Sequence, residues 1–410
     1  MRKKLLILVC IGSMGIAYAG GFRVALQGIK QAGMGHTGVA VVHDASSVFF
    51  NPAGLALIDS KWSVSAGFSG ISFNVSYLDP ATGRSYQTDN PIGTPVSFYL
   101  SHKIGDRWAA GIGVYTPYGS AIKWGKDWPG QAIIRDIELQ TIFIQPTLSY
   151  KISDWASVGA GFIYALGNLK INQGANQGGT NLGPANLEST IMPTAMGYNV
   201  GLMLKPHEKV QVGITYISAM DMEVEGDAKV IYEGNQTNSL TPGQILASDS
   251  WKTTLSAPVE FKLGVSYRPT DKWIFAIDVE YFTWSNYKVS SFDFANDNLP
   301  DYVSTRNYED TFVYRVGVSY DFNDRWTGRF GGYYDESPSP SEYFSPEVPT
   351  VDILGLGPGF TYKFKSGFSI DGFYAFLSGR EKTFSNVETN WTGSVKGRAH
   401  VLGVGASYNF

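Results

Sequence analysis

From Val259 the chain alternates strictly: Val259, Phe261, Leu263, Val265 and Tyr267 are apolar or aromatic, and Glu260, Lys262, Gly264, Ser266 and Arg268 fall between them. The same period runs through Phe275, Ile277, Val279 and Tyr281 against Asp278 and Glu280, and through Phe312, Tyr314, Val316, Val318 and Tyr320 against Arg315. It runs again through Leu402, Val404, Ala406 and Tyr408 to the final residue, Phe410. A period of two is that of a strand, whose successive side chains point to opposite faces. One face here carries full charges and the other hydrocarbon, the pattern of a strand between a polar lumen and lipid. A basic side chain at the lipid midplane costs about 2–4 kcal/mol, so Lys262, Arg268, Arg315 and Arg329 are expected to face inward. Trp62, Val64, Ala66 and Phe68 shift phase at Gly70 to Ile71, Phe73, Val75 and Tyr77, which predicts a bulge.

The turns give the strand count. Six short polar turns recur, between Leu100 and Trp108, Tyr150 and Trp155, Leu204 and Val210, Tyr267 and Trp273, Tyr320 and Trp326, and Tyr362 and Phe368. Longer connections rich in Gly, Pro, Asn and Ser lie near 78–94, 117–136, 172–192, 226–254, 285–307, 335–352 and 378–395. Short and long alternate, as an up-and-down barrel with both chain ends on one rim requires, and together they predict an all-β, 14-stranded antiparallel transmembrane barrel over 59–410. Tyr and Trp cluster beside the short turns, which marks these as the periplasmic rim.

Arg2, Lys3 and Lys4 precede the apolar stretch Leu5 to Ile11, and Ala17-Tyr18-Ala19 follows, so 1–19 reads as a secretory signal peptide with the mature chain starting at Gly20. Roughly 20 apolar residues would be needed for a spanning helix, and this run is shorter. Cys10, the single cysteine, is then discarded, and the mature chain is held by ladder and packing without disulfides. A mean hydropathy of -0.09 agrees with a barrel whose lumen and lipid faces average out. The formal net charge of -4, which includes the leader's three basic residues, argues against nucleic-acid binding. His36, His43, His102, His207 and His400 are scattered and no G-x-S-x-G occurs, so neither an enzyme, a metal nor another cofactor is expected.

Residues 20–58 show neither barrel alternation nor a long amphipathic helix, yet Val39 to Val42 and Val48 to Phe50 are too apolar for a disordered tail. Such a segment, starting at the rim, can fold up into the lumen as a plug. Gly33-Met34-Gly35-His36-Thr37-Gly38, then Asp44-Ala45-Ser46, then Asn51-Pro52-Ala53 resemble the hatch of the FadL-type family, outer-membrane transporters of long-chain fatty acids and aromatic hydrocarbons. The resemblance continues through Tyr118-Gly119, Trp284-Ser285, Asp335 to Pro338 and the closing Tyr408-Asn409-Phe410.

That resemblance implies a monomeric barrel of a Gram-negative outer membrane, embedded among lipid and lipopolysaccharide and delivered by assembly machinery that reads Tyr408 and Phe410. It implies passive uptake without a cofactor: loop capture, internal binding, hatch rearrangement and sideways exit through a gap at a kinked third strand. Phe22, Asn51, Pro52 and Ala53 in the hatch and Thr116, Pro117 and Gly119 at the kink are the implied channel and gate. Family members that carry fatty acids have an arginine late in the fifth strand, where this chain has Gln173, with Lys170 nearby. Lys170, Lys262, Arg268, Arg315 and Arg329 are the cations available to an acid head, although ion pairs with Glu260, Asp278 and Glu280 would also account for the inward ones. Trp124, Trp128, Leu246 and Trp251 are expected to supply an apolar capture groove on the loops. The alternative is a general diffusion porin or a structural barrel, which has no use for a plug.

Overall fold

The alternating segments form one closed antiparallel sheet. The computed structural model describes residues 20–177, 180–235, 239–296 and 301–410, so the expected leader at 1–19 lies outside the described residues. The wall is a closed 14-strand antiparallel barrel. Its first seven strands are β1 (Trp62–Leu78), β2 (Val96–Ile104), β3 (Trp108–Tyr115, resuming as Gly119–Lys123), β4 (Asp136–Ser153), β5 (Ala156–Gln177), β6 (Thr194–His207) and β7 (Val210–Ile217, resuming as Met220–Ile231). The others are β8 (Ile245–Ala257, resuming as Glu260–Tyr267), β9 (Trp273–Phe282), β10 (Thr311–Asp321), β11 (Trp326–Asp335), β12 (Ile353–Lys363), β13 (Phe368–Gly379) and β14 (Thr392–Asn409). Each pairs with the next, and β14 returns to β1 from Ser63↔Asn409 to Leu78↔Ser394. Trp62 and Phe410 exchange backbone bonds of 2.7 and 3.0 Å at the end of that ladder. Pairing of β14 with β1 leaves the sheet without a free terminal strand.

Two expectations change. The bulge at Gly70 is absent, because β1 and β14 stay in one register throughout. Ser63, Ser65, Ser69, Ile71, Phe73, Val75 and Tyr77 all face inward along β1. The phase switch therefore records a change of surroundings: low in the strand lipid lies outside, whereas higher up Ser72, Asn74 and Ser76 face outward and the apolar residues pack beneath the loops, Tyr77 against Trp391 at 4.8 Å. The long connections, too, are more regular than their composition suggested. β5 continues to Gln177 and pairs with a loop strand, Thr180–Ser189, while Val289–Phe294 pairs with Tyr302–Thr305 and Lys382–Ser385 with β14.

Residues 20–58 lie inside the wall and are almost wholly buried. They form two short helices, α1 (Ile29–Ala32) and α2 (Ser47–Phe50), and a 3-10 turn over Pro52–Leu57 capped by Asn51, whose side chain accepts from Ala53 N at 3.1 Å. Inward polar residues of the wall satisfy this segment's backbone, as buried amides require. Asp278 accepts from Gly38 N and Val39 N at 2.8 and 3.1 Å, Gln145 donates to Val48 O at 2.7 Å, and Ser266 donates to Ala40 O at 2.8 Å. Wall glycines allow the approach: a Cβ on Gly213 would stand 2.0 Å from the Val39 carbonyl oxygen, and one on Gly317 2.3 Å from that of Met34.

Candidate functional site

The barrel wall is interrupted where the third strand breaks. β2 and β3 pair from Ile104↔Trp108 up to Ser97↔Tyr115 and no further. Above that point Gly119–Lys123 pairs with β4 alone, and the loop strand Ser85–Gln87 pairs with β1 alone. A bond from Asp89 N to Lys123 O at 2.8 Å spans the top. Thr116, Pro117 and Tyr118 form the break. Their backbone is paired inward instead, with the beginning of the buried segment: Val24 N donates to Pro117 O at 2.7 Å and Gly119 N to Phe22 O at 2.8 Å.

That buried end is fixed by charge and by rings. Arg23 Nη2 bonds Asp335 at 2.6 Å, its Nη1 lies 3.4 Å from Glu280, and its guanidinium sits 3.7 Å above the Phe282 ring. Phe22 contacts Trp284, Tyr118 and Tyr287 at ring centroid distances of 5.3, 5.7 and 6.3 Å. Beyond Phe22 lies a cavity of ≈350 Å³ walled by Leu139, Leu169, Ile171, Leu187, Leu255 and Phe292. A smaller void of ≈20 Å³ shares Phe22, Leu139 and Leu255 with it and is bounded on its far side by Tyr118, Phe143, Met220 and Met222. Phe22 thus borders both the apolar cavity and the smaller void that reaches Tyr118 at the break in β3.

Polar residues, Gln173, Lys229 and Asp301 among them, also line the cavity, and Arg306 and Glu347 form a buried charged corner in it. Arg306, 6% exposed, bonds Glu347 at 3.3 Å through Nη2, while its Nη1 and Glu347 Oε2 are buried with no hydrogen-bond partner among the described residues. Burial works against its charge, but Glu347, Tyr287 and Tyr308 around it hold the guanidinium above its ordinary value, so it stays charged. Arg306 lies in an irregular connection just after a loop strand, where no alternation assigns a side, and so gave no signal in the sequence.

The sequence candidates are dispersed. Lys262 pairs with Glu260 at 2.7 Å and Arg315 with Glu280 at 2.9 Å, while Arg329 bonds Thr361 at 2.6 Å, all beside the buried segment. Arg268 is at the periplasmic turn, where it lines a wide polar vestibule with Lys103, Lys151 and Lys209. Lys170 points away from the lumen and pairs with Glu188. None of these five lines the apolar cavity, whereas Gln173 does. Asn51 donates to Val39 O and Leu202 O at 2.9 and 3.1 Å, and Ala53 O accepts from Ser149 and Ser157. Pro52 and Ala53 pack so closely on Gly159 that a Cβ there would meet their backbone within 2.6 Å.

The expected loop groove takes another form. Trp124 and Trp128 stack at 4.4 Å and are buried, their indole N–H groups bonded to Pro346 O and Ile134 O. They join Tyr77, Phe384 and Trp391 in an aromatic cap, because large rings whose single donor finds a carbonyl are more stable packed than wet. Trp251 is buried against Phe292 behind the cavity wall, and Leu246 is half-buried on the loop side. Tyr408 and Phe410 stack at 4.7 Å on the periplasmic rim.

Comparison with known proteins bears on this arrangement. The profile of a family described as outer membrane protein transport protein (OMPP1/FadL/TodX) matches residues 10–410. A long-chain fatty acid transport protein of Escherichia coli O6:H1 is 24% identical over 425 residues, covering 96% of this chain and 95% of that protein. The 47 kDa outer membrane protein of Pasteurella multocida is 24% identical over 413 residues, covering 97% and 95%. Among solved structures, a Pseudomonas aeruginosa FadL homologue superposes with a TM-score of 0.77 at 21% identity, covering 97% of this chain and 100% of that one. The Pseudomonas putida toluene transporter TodX gives 0.74 at 15% identity, covering 97% and 100%. At these identities the structural likeness concerns the fold.

Proposed function

Because the chain belongs to the OMPP1/FadL/TodX family of outer membrane transport proteins, we propose that it carries hydrophobic small molecules, long-chain fatty acids or aromatic hydrocarbons, from the cell surface into the outer membrane. The observation that supports this reading is the apolar cavity that reaches Ser120 of the broken third strand and shares Phe22, Leu139 and Leu255 with the smaller void beside Tyr118. Each methylene buried there is stabilised by about 0.8 kcal/mol, which an aqueous bore would not provide. A general diffusion porin needs such a bore, and here residues 20–58 fill the lumen.

In this reading ligand enters from the loops and its chain lies along Leu139, Leu169 and Leu255, while an acid head meets the free Nη1 of Arg306. Residues 20–58 act as the hatch. Withdrawal of Phe22 joins the cavity to the smaller void, and the same movement frees Pro117 O and Gly119 N at the break, because both are bonded to residues 22–24. Ligand then leaves sideways between β2 and β3. Thr116, Pro117 and Gly119 shape that exit, whereas Asn51, Pro52 and Ala53 anchor the hatch where it stays. The protein works as a monomer without cofactor or catalytic step, embedded in lipid and lipopolysaccharide, with Tyr408 and Phe410 as the signal to the assembly machinery.

Uptake of labelled palmitate and toluene by cells with and without the gene tests the proposal. At least one of them should enter faster when the protein is present. If neither does while small sugars do, the porin reading replaces this one. Gly119→Arg should block uptake while the folded barrel keeps its heat-modifiable mobility, and normal uptake by that variant would remove the β3 exit from the mechanism.

A further inference from the structure

The wall is interrupted a second time, between β6 and β7. Their ladder climbs to Ile217↔Asn199 and resumes only where Gly226 of β7 meets Ser189 of the loop strand ahead of β6. The ends of the interruption are pinned, below by Ser218 N to Tyr198 O at 2.9 Å and above by Thr190 N to Glu225 O at 3.1 Å. Between these pins, residues 191–197 face 219–224 with no β-pairing among the described residues, although β6 keeps its ladder with β5 and β7 keeps its ladder with β8.

Two methionines close this seam from within. A Cβ on Gly197 of β6 would lie 2.6 Å from Met220 Sδ, and one on Gly167 of β5 would lie 2.6 Å from Met222 Sδ. The thioethers therefore lie flat over glycines, on the wall of the small void that also touches Phe22. An unbranched side chain with three torsions and no polar atom to strand can swing aside at low cost. Outside, rings at Tyr198, Tyr216, Phe261 and Tyr281 run across four strands at spacings of 5.8, 5.1 and 6.5 Å and mark the upper edge of the apolar band. The seam begins just above Tyr198, with Met192 and Met196 60% and 65% exposed on one lip. The opposite lip presents Asp221 and Glu223, neither in an ion pair among the described residues, and Glu225, paired with Lys252 at 2.7 Å. The β2–β3 break lies lower, beside the lipid-facing Phe68 and Val96.

We propose that the β6–β7 seam is a second port, through which neutral apolar molecules pass between the outer interface and the void beside Phe22, with Met220 and Met222 as its flap. This rests on the transport reading above. The acidic lip disfavours anions, so the port selects hydrocarbon over carboxylate.

Gly197→Cys with Met220→Cys, in a Cys10→Ala background, places a removable bridge across the seam. Cells carrying it should lose labelled toluene uptake on oxidation and regain it with dithiothreitol. Equal uptake in both states, with the bridge verified by mass spectrometry, overturns the port and leaves the transport reading standing. If the Cys10→Ala parent carries neither toluene nor palmitate, the transport reading fails and the port with it. Asp221→Asn with Glu223→Gln, both on the outer face, provides a second test that needs no bridge. It should raise palmitate uptake relative to toluene, and an unchanged ratio overturns selection at the lip.

Discussion

Asn51→Ala tests how much one side chain contributes to the polar bonds that join the proposed hatch to the wall. Asn51 is 1% exposed and makes three bonds: it donates to Val39 O within the hatch and to Leu202 O of β6, and it accepts from Ala53 N as a helix cap. Each such bond contributes about 1 kcal/mol net, and loss of the cap alone costs about that much. Truncation should therefore weaken docking of the 39–58 region by about 2–3 kcal/mol, which raises its undocked population roughly 30- to 150-fold. Hydrogen–deuterium exchange of detergent-solubilised protein reads this directly: peptides from 39–58 should exchange faster by about that factor, while β-strand peptides and heat-modifiable mobility stay unchanged. Unaltered protection of 39–58 would refute the claim that Asn51 fastens the hatch. Equal loss of protection throughout the barrel would show that hatch and wall unfold together.

Arg306→Gln should lower palmitate affinity roughly 10- to 100-fold, the worth of a charge-assisted bond, and leave toluene binding unchanged; equal loss of both would mean the residue only shapes the cavity. Gly213→Val puts a side chain where the Val39 carbonyl lies 2.0 Å from a built Cβ, an overpacking cost of about 1–3 kcal/mol, and should make cells more permeable to a hydrophilic reporter such as nitrocefin. Unchanged permeability would show that the hatch can yield without leaking. Lys382, in the loop strand beside Ser337 and Ser339, has its amine pushed by burial down to about 8. An unfolded loop keeps that proton to about 10.4, so it binds more protons than the folded one in between, and loop stability should rise from pH 8 to about 10.4 and then level off. Near-ultraviolet circular dichroism of the Phe344, Phe384 and Trp391 cluster should show that rise, and Lys382→Met should abolish it.

The wall was legible because lipid and lumen impose opposite demands on neighbouring residues. Glu260 and Lys262 against Phe261 and Leu263 fix both register and facing, and the charged turns ending in Trp108, Trp155, Trp273 and Trp326 count the hairpins. Above the membrane that contrast inverts. Ile71, Phe73, Val75 and Tyr77 therefore mimicked a register shift, and Trp124 and Trp128 mimicked an exposed groove while packing into a cap. The polar corner of the cavity was illegible for a related reason. Arg306 and Glu347 are 41 residues apart in separate loops and meet only through tertiary packing. The break beside Tyr118 was legible only through the resemblance that marked Thr116, Pro117 and Gly119, and the one beside Met220 not at all, since a missing ladder bond leaves its trace in the partner strand rather than in the residues themselves.

The glycines that let the Val39 and Met34 carbonyls press against β7 and β10 have a consequence for biogenesis. A cork seated this tightly, with Ser, Gln and Asp of the wall as its hydrogen-bond partners, has no clearance through which to slide into a finished cylinder. The bottle has to be blown around it. Docking of Asn51 and Gly38 on nascent hairpins is then a folding step that precedes the final zippering of β14 onto β1, and a chain deprived of residues 20–58 should stall there, with the polar inner faces of its staves unquenched.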